Sequence, residues 1–168
     1  MVPIVRGWGV HQPAMNFLQS RLDAGGWVNV FPEGKVNWPR EDLKLRWGVG
    51  RLVADCKASE LMVLPVYHHG MASVLPNPKM KGESQPVVPR LGNLVTVCIG
   101  QPINFAPLLA VLRGSGMSEK EVRARITREV QSALEELGRE TRVQHTKDFE
   151  RWMCRWHHNT DVVPSILT

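Results

Sequence analysis

An apolar run that ends abruptly in Pro, Glu and Gly is the feature that most constrains this chain. The run covers residues 27–31 (WVNVF), and Pro32, Glu33 and Gly34 follow it directly. Pro32 cannot donate to a β-ladder, and Gly34 lets a ligand approach the backbone closely. In α/β proteins, sites form where strands end. The pattern therefore predicts a strand whose end positions the Glu33 carboxylate. The plainer interpretation is a strand that runs into an ordinary turn.

Periods of two and of about 3.6 residues alternate along the chain, which is typical of βαβ units. This alternation predicts an α/β fold with a mixed, largely parallel sheet and flanking helices. Ser118 and Glu121 have the spacing of a capping box at the start of the last helix. A Gly-, Pro- and Ser-rich stretch, 68–92, predicts a long surface loop. The predicted strands are 3–6, 27–31, 61–67 and 95–99, and the predicted helices are 12–23, 41–57 and 118–142.

Length and composition fit one domain with a sizeable core, because the chain has 168 residues of which 43% are hydrophobic. We predict a domain over 1–142 and a weakly ordered tail over 143–168. No apolar run of about 18 residues occurs, so no transmembrane helix is predicted. The cysteines Cys56, Cys98 and Cys154 are odd in number and lack C-x-x-C spacing, which favours a reducing environment over a zinc site or a disulfide framework.

The chain is basic, with a net charge of +5 and a pI of about 9.4. This charge suits an anionic membrane surface, and it also fits a mildly basic soluble protein. Nucleic acid binding is not predicted, because basic residues are not interleaved with aromatic ones. Exposed tryptophans would suit the headgroup zone of a bilayer, although large aromatic residues are more often part of the core.

Other sites known from sequence motifs are not predicted. A P-loop would need Gly at Asn29 and Ser or Thr at Val36. Neither His68 with His69 nor His157 with His158 has a third metal ligand at useful spacing. No G-x-S-x-G elbow occurs, which argues against a serine hydrolase of the α/β type. We therefore predict neither a metal nor a cofactor.

Four blocks of sequence resemble the glycerolipid acyltransferase family in both order and spacing. They are 3–7 (PIVRG), 31–37 (FPEGKVN), 46–52 (RWGVGRL) and 63–68 (VLPVYH). The resemblance covers about residues 2–138. Lys-Val-Asn after the Gly of the second block, and the Trp-Gly-x-Gly-Arg block, are similar to the branch of the family that exchanges acyl groups between phospholipids and lysophospholipids, cardiolipin included, in mitochondria.

The resemblance implies an acyltransferase fold and a set of substrate-binding residues. Arg6 would pair with the phosphate of the acceptor, and Glu33 with Gly34 would position the glycerol hydroxyls. The family has an Arg where this chain has Val36, so Lys35 would supply that charge as a point charge without the fork of a guanidinium. Leu64 and Pro65 would line the acyl channel. The complete set is Arg6, Gly7, Phe31, Pro32, Glu33, Gly34, Lys35, Leu64 and Pro65.

The catalytic signature of that family, H-x-x-x-x-D, does not occur in this sequence. None of the six histidines is followed five positions later by Asp; His11 is followed there by Asn16. An Asn can orient an imidazole but cannot stabilise an imidazolium. We therefore expect a domain incomplete at its N-terminus, with no catalytic residue and no turnover by itself.

Three alternatives stay open for such a chain. It is a transacylase lacking its catalytic pair, or a non-catalytic phospholipid-binding or regulatory isoform, or a fragment that does not fold stably. By resemblance, its partners are phospholipids and lysophospholipids, with peripheral association on the inner and outer mitochondrial membranes. A homo-oligomer or a membrane complex is compatible with this interpretation.

Overall fold

The computed structural model describes residues 2–5, 7–34, 44–58, 60–76 and 88–159, with the side chains of the last helix described as far as Cys154. The chain divides into two compact units. Unit 1 comprises Met1–Pro65 and Gly100–Glu135, and unit 2 comprises Val66–Ile99 and Glu136–Thr168.

Unit 1 combines helices with one short pair of strands. Helix α1 spans Pro13–Asp23 and α2 spans Gly48–Ala54. Strand β1, Met62–Val63, pairs antiparallel with β4, Ile103–Asn104. Helix α4 spans Ala106–Gly114, and α5 spans Glu119–Asn159, so that α5 contributes its first part to unit 1.

The starts of these helices follow from local sequence. Pro13 is the first residue of α1, where its missing N–H costs no helical hydrogen bond. The N–H of Ala106 donates to Asn104 Oδ1 at 2.9 Å just before α4. At α5 the Ser118 hydroxyl and backbone N–H both donate to Glu121 Oε2, at 2.7 and 2.9 Å. The predicted capping box is therefore confirmed.

The core of unit 1 forms mainly between α2, α4 and the first part of α5. Ile126 is fully buried and Phe105 is 2% exposed. An apolar stripe on α5 continues this core, since Val122, Val130 and Leu134 are buried beside them. The remaining members of the cluster are Leu45, Val53, Leu109 and Leu112.

Helix α2 approaches α5 very closely at Gly50. A Cβ built at this position would overlap the carbonyl oxygen of Arg123 and the hydroxyl of Thr127. Gly48 differs, since a Cβ there would lie 3.4 Å from Met15 Cε of α1, an ordinary contact. Gly50, the second glycine of the third block, therefore lets two helix backbones meet, although glycine weakens a helix.

Unit 2 is a β-hairpin-like pair packed on the second part of α5. Strand β2, Val66–His69, pairs antiparallel with β3, Thr96–Ile99, and the one-turn helix α3 spans Met71–Val74. The Tyr67 ring lies against Gly138, where a Cβ would be 2.9 Å from Tyr67 Cε2. Thr96 Oγ1 and His145 Nδ1 share a hydrogen bond of 3.0 Å.

The mixed helix and strand content is confirmed, but several predicted elements differ. Both strand pairs in the described residues are antiparallel, so no parallel pairing is observed there. Residues 2–5 form no strand, and the predicted strand over 27–31 is wrong. Trp27 and Phe31 are 81% and 80% exposed, so this apolar run lies on the surface. The predicted strand over 61–67 is divided at Leu64 and Pro65, because Pro65 cannot donate to a ladder.

Residues 41–43 of the predicted helix over 41–57 lie outside the described part, and of the rest only Gly48–Ala54 is helical, because tertiary hydrogen bonds replace helical ones on either side of α2. The N–H of Leu45 donates to Gln131 Oε1 at 3.4 Å, and that of Arg46 to Pro32 O at 2.7 Å. At the other end, the N–H of Lys57 donates to Asp23 Oδ1 at 2.8 Å. The last helix is longer than predicted, since α5 continues from 143 to Asn159. The domain boundary at 142 stays a prediction, as residues 160–168 lie outside the described part.

Candidate functional site

The Pro-Glu-Gly segment forms a tight turn on the surface of unit 1. The N–H of Gly34 donates to Phe31 O at 3.2 Å, and Gly34 has a φ of +69°, which favours glycine. Pro32 fixes its own φ inside the turn. Phe31 is exposed and Glu33 is half-buried. The backbone of Glu33 thus lies in a defined turn, although no strand precedes it.

Arg46 attaches this turn to the third block. Its N–H donates to Pro32 O, and a Cβ at Gly34 would lie 3.1 Å from Arg46 Cγ. The second and third blocks are therefore in direct contact, although Gly34 and Arg46 are 12 positions apart in the sequence. Lys35, the remaining predicted residue of this segment, lies outside the described residues.

The first block forms a loop held by one buried amide. Gln12 Oε1 accepts from the N–H of Val5 at 2.9 Å, and Gln12 Nε2 donates to Gly9 O at 2.7 Å. Gly7, a predicted site residue, is exposed and has a φ of +88°. Arg6 lies outside the described residues, so its predicted role stays a prediction.

Arg51 connects the third block to the same loop. Its guanidinium donates to Val10 O and, at 2.7 Å, to Asn16 Oδ1, while its Nε pairs with Asp55 at 3.4 Å. Asp55 in turn accepts two hydrogen bonds from Arg123 of α5, at 2.9 and 3.1 Å. This chain of ion pairs fixes the loop to the helices of the core.

Sequence reasoning missed both Gln12 and Arg51 as residues that build the site. Arg51 was part of a recognised block, and its place in the Trp-Gly-x-Gly-Arg pattern was the available signal. Gln12 gave no periodic or motif signal, because its role depends on a loop conformation seven residues upstream.

An apolar cavity of about 400 Å³ lies beside the loop. Trp8 and Phe17 are on its wall and are 70% and 53% exposed. An opening of this chemistry accepts apolar groups. Its lining is Val2, Pro3, Val5, Trp8, Gln12, Pro13, Ala14 and Phe17.

Leu64 and Pro65, predicted to line an acyl channel, lie between β1 and β2. Pro65 is buried and its carbonyl accepts from the N–H of Gly100 at 2.9 Å, while Leu64 is half-buried. Neither residue is on the wall of the apolar cavity. The acyl-channel role of these two residues therefore stays a prediction.

A second, larger cleft of about 790 Å³ lies between the end of α2, α4 and the start of α5. Arg123 on its wall pairs with both Asp55 and Glu119. Burial raises the pKa of the Cys56 thiol on its wall.

Within the described ranges, no group of three or more His, Cys, Asp or Glu residues is arranged to hold a metal ion. Over the same part of the chain, no helix combines the length and the apolar character needed to cross a bilayer.

The chain is similar to several known proteins. Residues 1–69 match the Acyltransferase family. The chain is 38% identical over 144 residues to a protein named Tafazzin from Drosophila melanogaster. The matched region covers 86% of this chain and 36% of the relative. It is 35% identical over 105 residues to Taffazin from Dictyostelium discoideum, or 61% of this chain and 35% of that protein.

A third relative is N-acylphosphatidylethanolamine synthase from Arabidopsis thaliana. It is 36% identical over 107 residues, or 62% of this chain and 36% of the relative. No solved structure matches the chain. The chain spans only about a third of the length of these curated relatives. Residues 1–69 are thus similar to the Acyltransferase family, and over most of its length the chain is similar to the Drosophila protein named Tafazzin.

Proposed function

We propose that this chain is the phospholipid-binding part of a tafazzin-like transacylase that moves acyl groups between phospholipids and lysophospholipids, cardiolipin included. The observation that carries the proposal is the 38% identity to Drosophila tafazzin over 86% of the chain. The direct contact between the second and third blocks supports it, because two of the blocks that carry the resemblance meet through Arg46 N–H and Pro32 O.

In this proposal the acceptor lysophospholipid is held by its polar head. Arg6 pairs with the phosphate next to Gly7, as a charge-assisted hydrogen bond. Glu33 accepts hydrogen bonds from the glycerol hydroxyls at the Phe31–Gly34 turn, whose glycine leaves room for a ligand. Lys35 adds a positive charge beside it, and Leu64 with Pro65 contacts the acyl chain.

The chemistry of the whole enzyme is acyl transfer through a tetrahedral intermediate. A His takes the proton from the acceptor hydroxyl, and an Asp orients that His and stabilises its charged form. These 168 residues contain no His followed five positions later by Asp. We therefore expect them to bind phospholipid without turning it over, and we propose a non-catalytic phospholipid-binding or regulatory role as the second candidate.

Peripheral association with membranes is part of the same proposal. The net charge of +5 attracts the chain to anionic lipid surfaces, and the exposed Trp8 and Phe17 suit the interfacial zone. By relation to the tafazzins, the location is the inner and outer mitochondrial membranes. A homo-oligomer or a membrane complex is compatible with it. We also propose the largely parallel sheet that the family resemblance implies.

The test is a transacylation assay with labelled lysophospholipid and a phospholipid donor, run on this chain and on Glu33→Ala. We expect no turnover from either, together with binding of lysophospholipid vesicles that weakens in Glu33→Ala. Turnover above background that falls in the variant would place a catalytic base inside these residues and contradict the non-catalytic interpretation. No vesicle binding by the wild type would contradict the phospholipid-binding proposal.

A further inference from the structure

The side chain of Gln12 is buried without serving the helix that it precedes. Gln12 is the N-cap of α1 and is 4% exposed, yet its side chain makes no capping hydrogen bond. Glutamine is not among the residues preferred at an N-cap, which are Ser, Thr, Asp and Asn. The helix therefore does not explain the residue at this position.

The amide of Gln12 is used instead by the Val5–Gly9 loop. Its oxygen accepts from Val5 N–H, and its nitrogen donates to Gly9 O and, at 3.4 Å, to Val5 O. One side chain thus joins both ends of the loop that contains Arg6 and Gly7. A Ser or Asp at position 12 would cap α1 but would be too short to reach Val5 and Gly9.

Packing at its glycines does not fix this loop. Gly7 and Gly9 have φ values of +88° and +72°, and a Cβ at either would meet no heavy atom within 4 Å. Trp8, between them, is largely exposed. Gln12 therefore braces the loop through its hydrogen bonds, and Arg51 adds a second brace through Val10 O.

We propose that Gln12 is a positioning residue for phosphate recognition: its amide holds the backbone on either side of Arg6 and Gly7 in the conformation that binds the phosphate of a lysophospholipid. This inference rests on the proposed function, since it assumes that Arg6 binds phosphate. Gln12 itself touches no substrate atom in this scheme.

The test measures phosphate-specific binding as a ratio: the dissociation constant for oleate vesicles divided by that for lysophosphatidic acid vesicles. Phosphatidylcholine vesicles that contain lysophosphatidic acid are compared with vesicles of equal surface charge that contain oleate. Because charge attraction contributes equally to both, the ratio reports recognition of the phosphate. The whole 168-residue chain is used, and the melting temperature of each variant is recorded.

Two variants remove the brace in different ways. Gln12→Met keeps the length and the apolar contact of the side chain but makes neither hydrogen bond. Gln12→Ser cannot reach the loop but can cap α1, which offsets part of the stability lost with the loop hydrogen bonds. We expect both to lower the ratio on the order of tenfold, the value of about one hydrogen bond.

The matched control is Gln19→Met on the same helix. Gln19 uses its amide for Asp23 Oδ1 at 3.3 Å and Leu52 O at 3.4 Å, away from the loop. We expect this variant to keep the wild-type ratio even where its melting temperature falls. If the ratio instead follows the melting temperature in all three variants, Gln12 has a structural role only and the inference is wrong.

Arg6→Ala separates this inference from the proposed function. A low ratio in Arg6→Ala with wild-type ratios in both Gln12 variants would overturn the positioning role and leave the proposed function standing. A wild-type ratio in Arg6→Ala would overturn both. Low ratios in Arg6→Ala and in both Gln12 variants, with Gln12→Ser still fully folded, would support the inference.

Discussion

Two regions of unit 1 are held together in different ways. The packed region, formed by α2, α4 and residues 119–135, depends on apolar burial, with Ile126 fully buried at its centre. The braced region, residues 2–5 and 7–34, exposes Trp8, Trp27 and Phe31, and hydrogen bonds from the side chains of Gln12 and Arg51 to the backbone hold its loop. The packed region therefore stabilises the fold, and the braced region sets the conformation of the proposed site.

The difference explains why the binding blocks can lie on the surface without a strand beneath them. Arg46, Arg51 and Gln12 each fix a carbonyl or an N–H of the braced region. Such contacts set a conformation but bury little apolar area, so they contribute less to global stability than the packed region does.

The largest effect is expected from Phe105→Ala in the packed region. Phe105 is 2% exposed, and removing its ring leaves a cavity, so the free energy of unfolding should fall by about 3–5 kcal/mol. Urea denaturation measures this. A loss similar to that of an exposed residue would show that the packed region is not the stabilising one.

Gly50→Ala should have the next largest effect. Its methyl group would overlap Arg123 O and Thr127 Oγ1, and forcing α2 away from α5 should cost about 1–3 kcal/mol of unfolding free energy. Gly48→Ala, two residues earlier, is the matched control, because its methyl group would make an ordinary contact with Met15. Equal midpoints for the two variants in urea would contradict the close approach of α2 and α5.

Acid should weaken both regions through one carboxyl in each, by smaller amounts. Hydrogen bonds from the Ser118 side chain and backbone lower the pKa of Glu121 from 4.5, and the Lys57 N–H lowers that of Asp23 from 3.8. When folding lowers the pKa of a carboxyl group, its ionised form stabilises the folded state at pH values above the unfolded-state pKa. This stability is lost as the pH falls through the folded-state pKa. Urea midpoints followed from neutral pH to below these values should therefore decline less steeply in Glu121→Gln and Asp23→Asn. Unchanged slopes would contradict these two contacts.

The smallest effect on folding is expected from Phe31→Ala in the braced region. Phe31 is 80% exposed, so the unfolding free energy should change by less than about 0.5 kcal/mol. Binding to lysophospholipid vesicles should nevertheless weaken, because the proposed site includes this residue. Vesicle co-sedimentation measures it, and a folding loss close to that of Phe105→Ala would remove the distinction between the two regions.

Sequence patterns predicted the packed region far better than the braced one. The stripe of α5 and the Ser118–Glu121 box were predictable, since burial and capping follow fixed spacings. Helix α4 was missed, although Asn104 and Pro107 supplied a start signal. The strand over 27–31 was wrong, because an apolar run shows that residues avoid water in some setting and does not show which surface covers them.

The candidate site was predictable only where a block had been recognised. The Phe31–Gly34 turn followed from Pro32 and Gly34, whose backbone preferences are local. The brace at Gln12 was not predictable, because a glutamine acquires this role only when a loop brings Val5 and Gly9 to it. Contacts of that kind depend on tertiary structure and leave no periodic signal.

Hydrogen exchange with and without vesicles containing lysophosphatidic acid tests the central claim most directly. The account predicts that lipid slows exchange in peptides covering Val5, Gly7–Gln12 and Phe31–Gly34, and that exchange in Gly48–Ala54 and 119–135 stays unchanged. Slower exchange confined to the packed region, or no change in any peptide, would contradict the claim that the braced region is the phospholipid-binding site.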